Sequence, residues 1–273
     1  MAKKKITNVD TKENREKVEK TKANNPEKEI DISNFSVSEE AKAQAKKSRI
    51  IALIMWVVAI GCEVGAVLIV FKQKPINLIL LIVLILIIMG LSIGASIIWK
   101  KANRLDPASK KEKVKFFVQN QLGFIMAILA FLPLILIVLT SKDMDKKDKG
   151  IISVVAVVAL VVAGYFGIDF DPASLEEYAE QSQEVVDLTG QDFVYWTKSG
   201  TKYHLYSECQ HINRDVTTEI FEGTVAQARA LKNIEELCET CRKRWVDEHA
   251  EEATAYRGDE LFTSKKYTLV PAL

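Results

Sequence analysis

Four long apolar runs, at residues 50–71, 76–99, 117–139 and 151–168, limit what this chain can fold into more than any other feature. A bilayer core is crossed by roughly 20 helical residues, because each adds about 1.5 Å of rise. A soluble core helix keeps one polar face, whereas the second run carries no charge and the first only Glu63. Lipid offers no partner to a bare peptide group, so such runs must be helical. The sequence therefore predicts a membrane protein with four transmembrane helices, its natural partner being the lipid bilayer. About 49 mostly polar residues precede the first run, which reads as an uncleaved anchor rather than a signal peptide.

Lys and Arg in the flanks set the orientation. Lys42, Lys46, Lys47 and Arg49 precede the first run, and seven cations from Lys100 to Lys115 join the second and third. The loop after the first run holds only Lys72 and Lys74, and the one after the third offsets four lysines with three aspartates. This bias predicts a multi-pass cell-membrane protein with both termini cytoplasmic. The segment after the fourth run, residues 169–192, has no basic residue and adds nothing to the assignment.

Small residues four apart let membrane helices approach closely. Gly61 and Gly65, Gly90 and Gly94, and Ala163 and Gly167 have that spacing, with Ser92 and Ser96 extending the second pair. They predict packing faces, either within one bundle or for self-association. Glu63 is the one ionisable residue deep in a span. Such a carboxylate marks a functional or paired position. At its depth the other spans offer Leu84, Phe131 and Ala159, all apolar. That leaves protonation, a backbone partner or a second copy, with a transport role as the rarer reading. Pro133 is the only proline within a span.

Outside the membrane the charge is uneven. Residues 1–49 hold thirteen Lys/Arg against nine Asp/Glu, net +4, and few large apolar side chains, which predicts a disordered leader. Within it, residues 38–49 could form a helix leading into the first span. Residues 169–273 hold eleven against twenty-one, net −10. Asp171-Pro172 reads as the start of an acidic helical linker over 169–190 that stops at Gly190. Residues 193–197 and 202–206 read as short strands joined by Lys198-Ser199-Gly200, and 216–221 as a third. Thr224-x-x-Gln227 resembles a capping box opening a helix to Leu231. A last helix runs from Cys241 towards Tyr256, and 257–273 reads as a loose tail.

In this segment 28 residues separate the pair His204 and Cys209 from the pair Cys238 and Cys241. Three thiols and one imidazole in two close pairs suit the tetrahedral, closed coordination of structural zinc. A module of about 60 residues also has a marginal core that a metal can complete. His211 rivals His204 as fourth ligand. Cys238-x-x-Cys241 alone is compatible with a redox pair, although no preceding βαβ unit accompanies it. Cys62, inside the first span, reads as a small buried hydrophobe, and His249 as solvated. The chain is thus expected to be an α-helical membrane protein with a small α+β zinc-binding C-terminal domain at 191–256.

Val194-Tyr195-Trp196-Thr197, Gly200, Tyr203-His204 and Cys209, with Thr224-Val225-Ala226-Gln227-Ala228 and Cys238-x-x-Cys241, resemble the metal-binding domain of the Ada-type DNA repair proteins. They are also similar to small zinc modules ending some bacterial secreted nucleases and competence-type hydrolases. The resemblance covers residues 193–245 and none of the spans. It implies zinc held by His204, Cys209, Cys238 and Cys241. In the repair family the first ligand is a cysteine that accepts a methyl group. His204 stands there, so methyl transfer is not implied. Neither a Ser/His/Asp set nor paired carboxylates occur, so a non-enzymatic role is expected. Phosphate binding needs clustered cations. The acidic tail offers only Arg242-Lys243-Arg244, which points to a protein partner rather than nucleic acid.

Overall fold

The computed structural model describes residues 5–8, 37, 39–72, 76–142, 144–232 and 234–249. The expected loose tail and the last helix beyond 249 lie outside the described residues, as does most of the leader. The chain divides into two compact units, a helical one (27–183 with 225–233) and a mixed one built from the remainder.

The helical unit contains α1 (Glu39–Lys72), α2 (Leu78–Leu105), α3 (Lys113–Thr140) and α4 (Lys146–Gly167). All four are long and apolar enough to cross a membrane. Each begins or ends in a charged turn beyond its apolar run, because a helix can continue into water once its backbone bonds are closed within it. Asn77 caps α2, its side chain accepting from the Leu80 N–H at 3.0 Å.

A seven-residue repeat governs the α1–α2 seam. Ala45, Ala52, Ala59 and Ala66 are fully buried, and Trp56, Glu63 and Val70 fill the alternate positions. The buried face of α2 has the same rhythm: Leu81, Ile85, Ile88, Ser92, Ala95, Trp99 and Ala102. Steps of three and four residues keep one face turned to its neighbour, and alanine lets the backbones approach. The predicted glycine pairs are placed differently. A Cβ on Gly61, Gly65 or Gly90 would meet nothing within 4 Å, while one on Gly94 would meet Met55. The backbones come closest where α3 crosses α4. A Cβ on Gly167 would stand 2.6 Å from the Gly123 carbonyl carbon and from the Phe124 nitrogen.

Polar side chains secure the ends of these helices, where backbone groups lack partners. Trp99 Nε1 and Asn103 Nδ2 each donate to the Gln119 carbonyl at 2.7 Å. Arg49 pairs with the Asp106 carboxylate at 2.7 Å and donates to its carbonyl at 2.8 Å. Lys100 and Gln121 donate to the carbonyls of Ile168 and Asp169. Helix α5 (Leu175–Thr189) begins in this unit, and α6 (Val225–Lys232) belongs to it. The Tyr178 hydroxyl on α5 donates to the Arg104 carbonyl at 2.9 Å. Arg229 of α6 lies over the Tyr178 ring at 4.9 Å and pairs with Glu177 at 3.4 Å. Ala230 packs with Ala45, Ala102 and Leu105.

The mixed unit has a three-stranded sheet in the order β1 (Lys5–Asn8), β4 (Glu219–Gly223), β2 (Val194–Trp196). A second, two-stranded sheet pairs β3 (Lys202–Tyr203) with β5 (Glu236–Leu237) in parallel. Strand β2 runs antiparallel to β4 with Trp196 opposite Phe221, their rings stacked at 6.2 Å. Helix α7 (Glu239–Glu248) closes the unit. Strand β1 departs from the expected disordered leader. Its four residues form a ladder with β4 that no local apolar pattern announces. Residues 9–36 lie outside the described residues, and α1 starts at Glu39.

Candidate metal centre

The centre is assembled by main-chain bonds that bring two distant segments together. Tyr195 and His204 exchange N–H to carbonyl bonds of 2.7 Å in both directions, which fixes His204 beside β2. The turn before it closes through Gly200 N–H to the Thr197 carbonyl at 3.1 Å. Glycine suits the position, since a Cβ would lie 2.8 Å from Thr197 Oγ1 and force that side chain to shift. The chain then reverses, with the Cys209 N–H donating to the Tyr206 carbonyl at 3.2 Å. The other half arrives along β5. The Cys238 N–H donates to the Tyr203 carbonyl at 2.9 Å, setting Cys238 at the start of α7 and Cys241 in its first turn.

His204, Cys209, Cys238 and Cys241 are all buried, and their ligand atoms lie within 4.8 Å of one another. The Cys241 sulfur is 3.6 Å from His204 Nδ1. Zinc bonds of about 2.0–2.3 Å in a tetrahedron separate neighbouring ligand atoms by roughly 3.5–3.8 Å. The cluster could therefore hold one metal ion. Ile212, Ile220, Leu205, Tyr195 and Tyr206 pack around it and limit water.

Burial sets the electrostatics of the ion-free donors. It pushes the His204 imidazole down to about 4, helped by His211 and Lys202, so the ring is neutral and its lone pair free. Burial pushes the Cys241 thiol up to about 12 and raises Cys209 as well. Main-chain groups of Leu205 and Tyr206 bond to Cys241 and act against that rise, as does His211 for Cys209. Such bonds favour the thiolate, and a divalent cation would complete the displacement of the protons.

His211 stands outside this group. It is exposed, its Nε2 lies 3.1 Å from Thr240 Oγ1, and its ring centre is 6.4 Å from that of His204. His249, expected to be solvated, is half-buried and stacked on Trp245 at 3.9 Å. The three cations of the basic patch all meet carboxylates. Arg242 contacts Glu184, Lys243 contacts Glu239 at 3.9 Å, and Arg244 pairs with Glu248 at 2.7 Å while covering the Tyr206 ring at 4.1 Å.

Glu63 lies far along the chain from this centre and is 5% exposed. Its carboxylate lies beside the Leu134 main chain, one residue after Pro133, and its Oε1 has no hydrogen-bond partner among the described residues. Side chains at its depth do not include this neighbour, because it is backbone. Cys62, expected to be a small buried hydrophobe, packs against the apolar core of the helical unit but is only half-buried.

No family model, curated protein or solved structure matches this chain.

Proposed function

We propose that this is an integral membrane protein displaying a structural-zinc module that recognises another protein. The observation that carries the reading is the closed set of His204, Cys209, Cys238 and Cys241, all four buried, in a chain whose other half is four membrane-length helices. Zinc is the ion best suited to three thiolates and one imidazole without an open position. A closed site polarises no substrate, which favours a binding role over catalysis. The resemblance to Ada-type modules of bacterial proteins supports the same assignment, with His204 in place of the reactive cysteine.

Both termini are placed in the cytoplasm by the Lys/Arg bias of the loops, so the acidic module would face away from anionic lipid and towards a soluble partner. The neutralised Arg242-Lys243-Arg244 patch speaks against nucleic acid as that partner. Crosslinking from the module surface in intact membranes, followed by mass spectrometry, tests the reading. Recovery of one defined protein supports it. Recovery of nucleic acid or of lipid alone overturns it.

A sensor is the second reading, favoured by one observation. The three sulfurs lie within 4.8 Å of one another, so loss of the ion would leave thiols poised to form a disulfide. A sensor would release zinc or oxidise within the physiological range, whereas a structural site resists both. A transporter based on Glu63 is the third reading and the weakest, since this lone carboxylate has only apolar residues at its depth on the other spans. Unchanged flux in a Glu63→Gln protein would remove it.

A further inference from the structure

Strand β1 differs from every other strand of the mixed unit. It comes from the start of the chain, and Thr7 bonds to Glu219 across 212 residues of sequence. It runs parallel to β4 in the register Lys5 to Glu219, Ile6 to Ile220, Thr7 to Phe221 and Asn8 to Glu222. Parallel neighbours are normally joined by a buried crossover. This one joins by its main chain and by two contacts with one carboxylate. Glu219 accepts from the Thr7 hydroxyl and pairs with Lys5 at 3.3 Å. Little apolar surface is gained, as Ile6 remains 49% exposed.

Such a strand resembles a peptide laid on a sheet edge more than a framework strand. Without it, β4 would present its unpaired N–H and carbonyl groups along one side, a ready template for an incoming strand. The other side of β4 is held by β2.

We propose that the β1 side of β4 is the docking edge of the module, and that Lys5–Asn8 is a tethered occupant which a partner's extended segment displaces. The chemistry of the partner follows from what sits there now. It is an extended segment running parallel to β4, with a basic residue two positions before a Ser or Thr so that both reach Glu219. An aliphatic residue between them faces outward and is weakly specified. The 28 residues from 9 to 36 separate β1 from the helical unit. Because β1 belongs to the same chain as β4, it competes intramolecularly, so it screens out weak competitors and yields to strong ones. This inference rests on the interaction-module reading and gives it a surface.

The test uses the full-length, zinc-loaded protein in lipid nanodiscs and a fluorescent peptide copying residues 1–10. Its partner is an Ile6→Pro/Thr7→Pro variant. Alternate residues of a strand direct their N–H groups to one neighbour, so one of two adjacent prolines must remove a ladder donor. The variant should bind the peptide about tenfold or more tightly than the wild type. A peptide carrying Lys5→Glu should not bind, and Glu219→Ala added to the variant should weaken the unmodified peptide. Equal binding by wild type and variant, or no binding by a variant that keeps one zinc per chain, would overturn the proposal. Loss of zinc from the variant would also overturn it, by showing β1 to be part of the framework. Dimers in the wild type that dissociate in the variant would assign the edge to a second copy instead. If crosslinking captures no protein yet the peptide result stands, the edge survives and the interaction-module reading falls.

Discussion

The carboxylate of Glu63 on α1 lies beside the main chain of Leu134 on α3, immediately after Pro133. Proline lacks an N–H and its ring crowds the carbonyl four residues back, which loosens the helix there. The polar side chain from the neighbouring helix sits against that loosened stretch. This placement offers a structural reason for Glu63 to lie inside a span.

It follows that the polar group matters and the charge does not. Glu63→Gln keeps an oxygen in place and should melt within a few degrees of the wild type. Glu63→Ala removes the polar group beside the Leu134 main chain and should lose about 1–3 kcal/mol. Pro133→Ala should recover part of that loss, because the regular helix then needs less help. Thermal unfolding in detergent, arranged as a double-mutant cycle, reads all three. An alanine variant as stable as the wild type would show the contact to be incidental.

The glycines of the spans should divide into two classes. Gly123 and Gly167 touch backbone to backbone, with no flexible atom to give way. Gly167→Val should therefore push α3 from α4 and cost several kcal/mol or prevent insertion of a stable bundle. Gly61→Val and Gly90→Val meet open space and should leave the monomer's melting temperature unchanged. If either lowers stability only at high protein-to-lipid ratio, that face contacts a second copy.

The spans were legible because each is long and nearly free of charge, a signal that no other fold class imitates. Their packing was less so. Small residues four apart pointed correctly to Ala163 and Gly167 and to Ser92 and Ser96, but also to Gly61 and Gly65, whereas the α1–α2 seam uses Ala45, Ala52, Ala59 and Ala66 at intervals of seven. Alanine is common enough in apolar helices that its repeat escapes notice until the facing repeat on α2 is aligned with it. The four metal ligands were visible as a spacing, because cysteine is rare and its pairs are close. Strand β1 was not visible, since its reason for being extended lies 212 residues away in Glu219. Strand β5 has two residues, too few for any periodicity. Helix α6 was expected from its capping box, but nothing local said that Ala230 would pack with Ala45 and Ala102.

Removal of the ion should unfold the mixed unit and spare the helical one. The ligand-bearing elements are short, and their shared core is built on the three cysteines. Structural zinc supplies on the order of 10–16 kcal/mol of binding energy at neutral pH in small modules. A strong chelator should therefore abolish the sheet signal while helix content from the spans persists. Cys238→Ser should weaken zinc by roughly a hundredfold or more. His211→Ala, outside the cluster, should retain one zinc per chain, and His204→Ala should not. Retention of zinc by His204→Ala together with its loss in His211→Ala would reverse the ligand assignment.

Tyr178 offers a pH test of how α5 and α6 are held to α2. Burial is the main cause that lifts its hydroxyl from the ordinary 10 to about 12, acting against nearby Arg229 and Arg104. The neutral phenol is thus favoured in the folded state more than in the unfolded one. Its contribution is complete below pH 10, because both states are then protonated, and is lost as the pH rises through about 12. A rise of two units corresponds to roughly 2–3 kcal/mol. At neutral pH, Tyr178→Phe should be less stable by about 1 kcal/mol, the cost of the bond to the Arg104 carbonyl. Between pH 10 and 12 the wild type should lose more stability than this variant, so that the two curves converge and then cross. Tyrosinate absorbance should show Tyr178, together with Tyr195 and Tyr206 whose hydroxyls are also raised, titrating later in the folded wild type than in the unfolded chain. If the two proteins lose stability in parallel, Tyr178 is not the buried anchor of this contact.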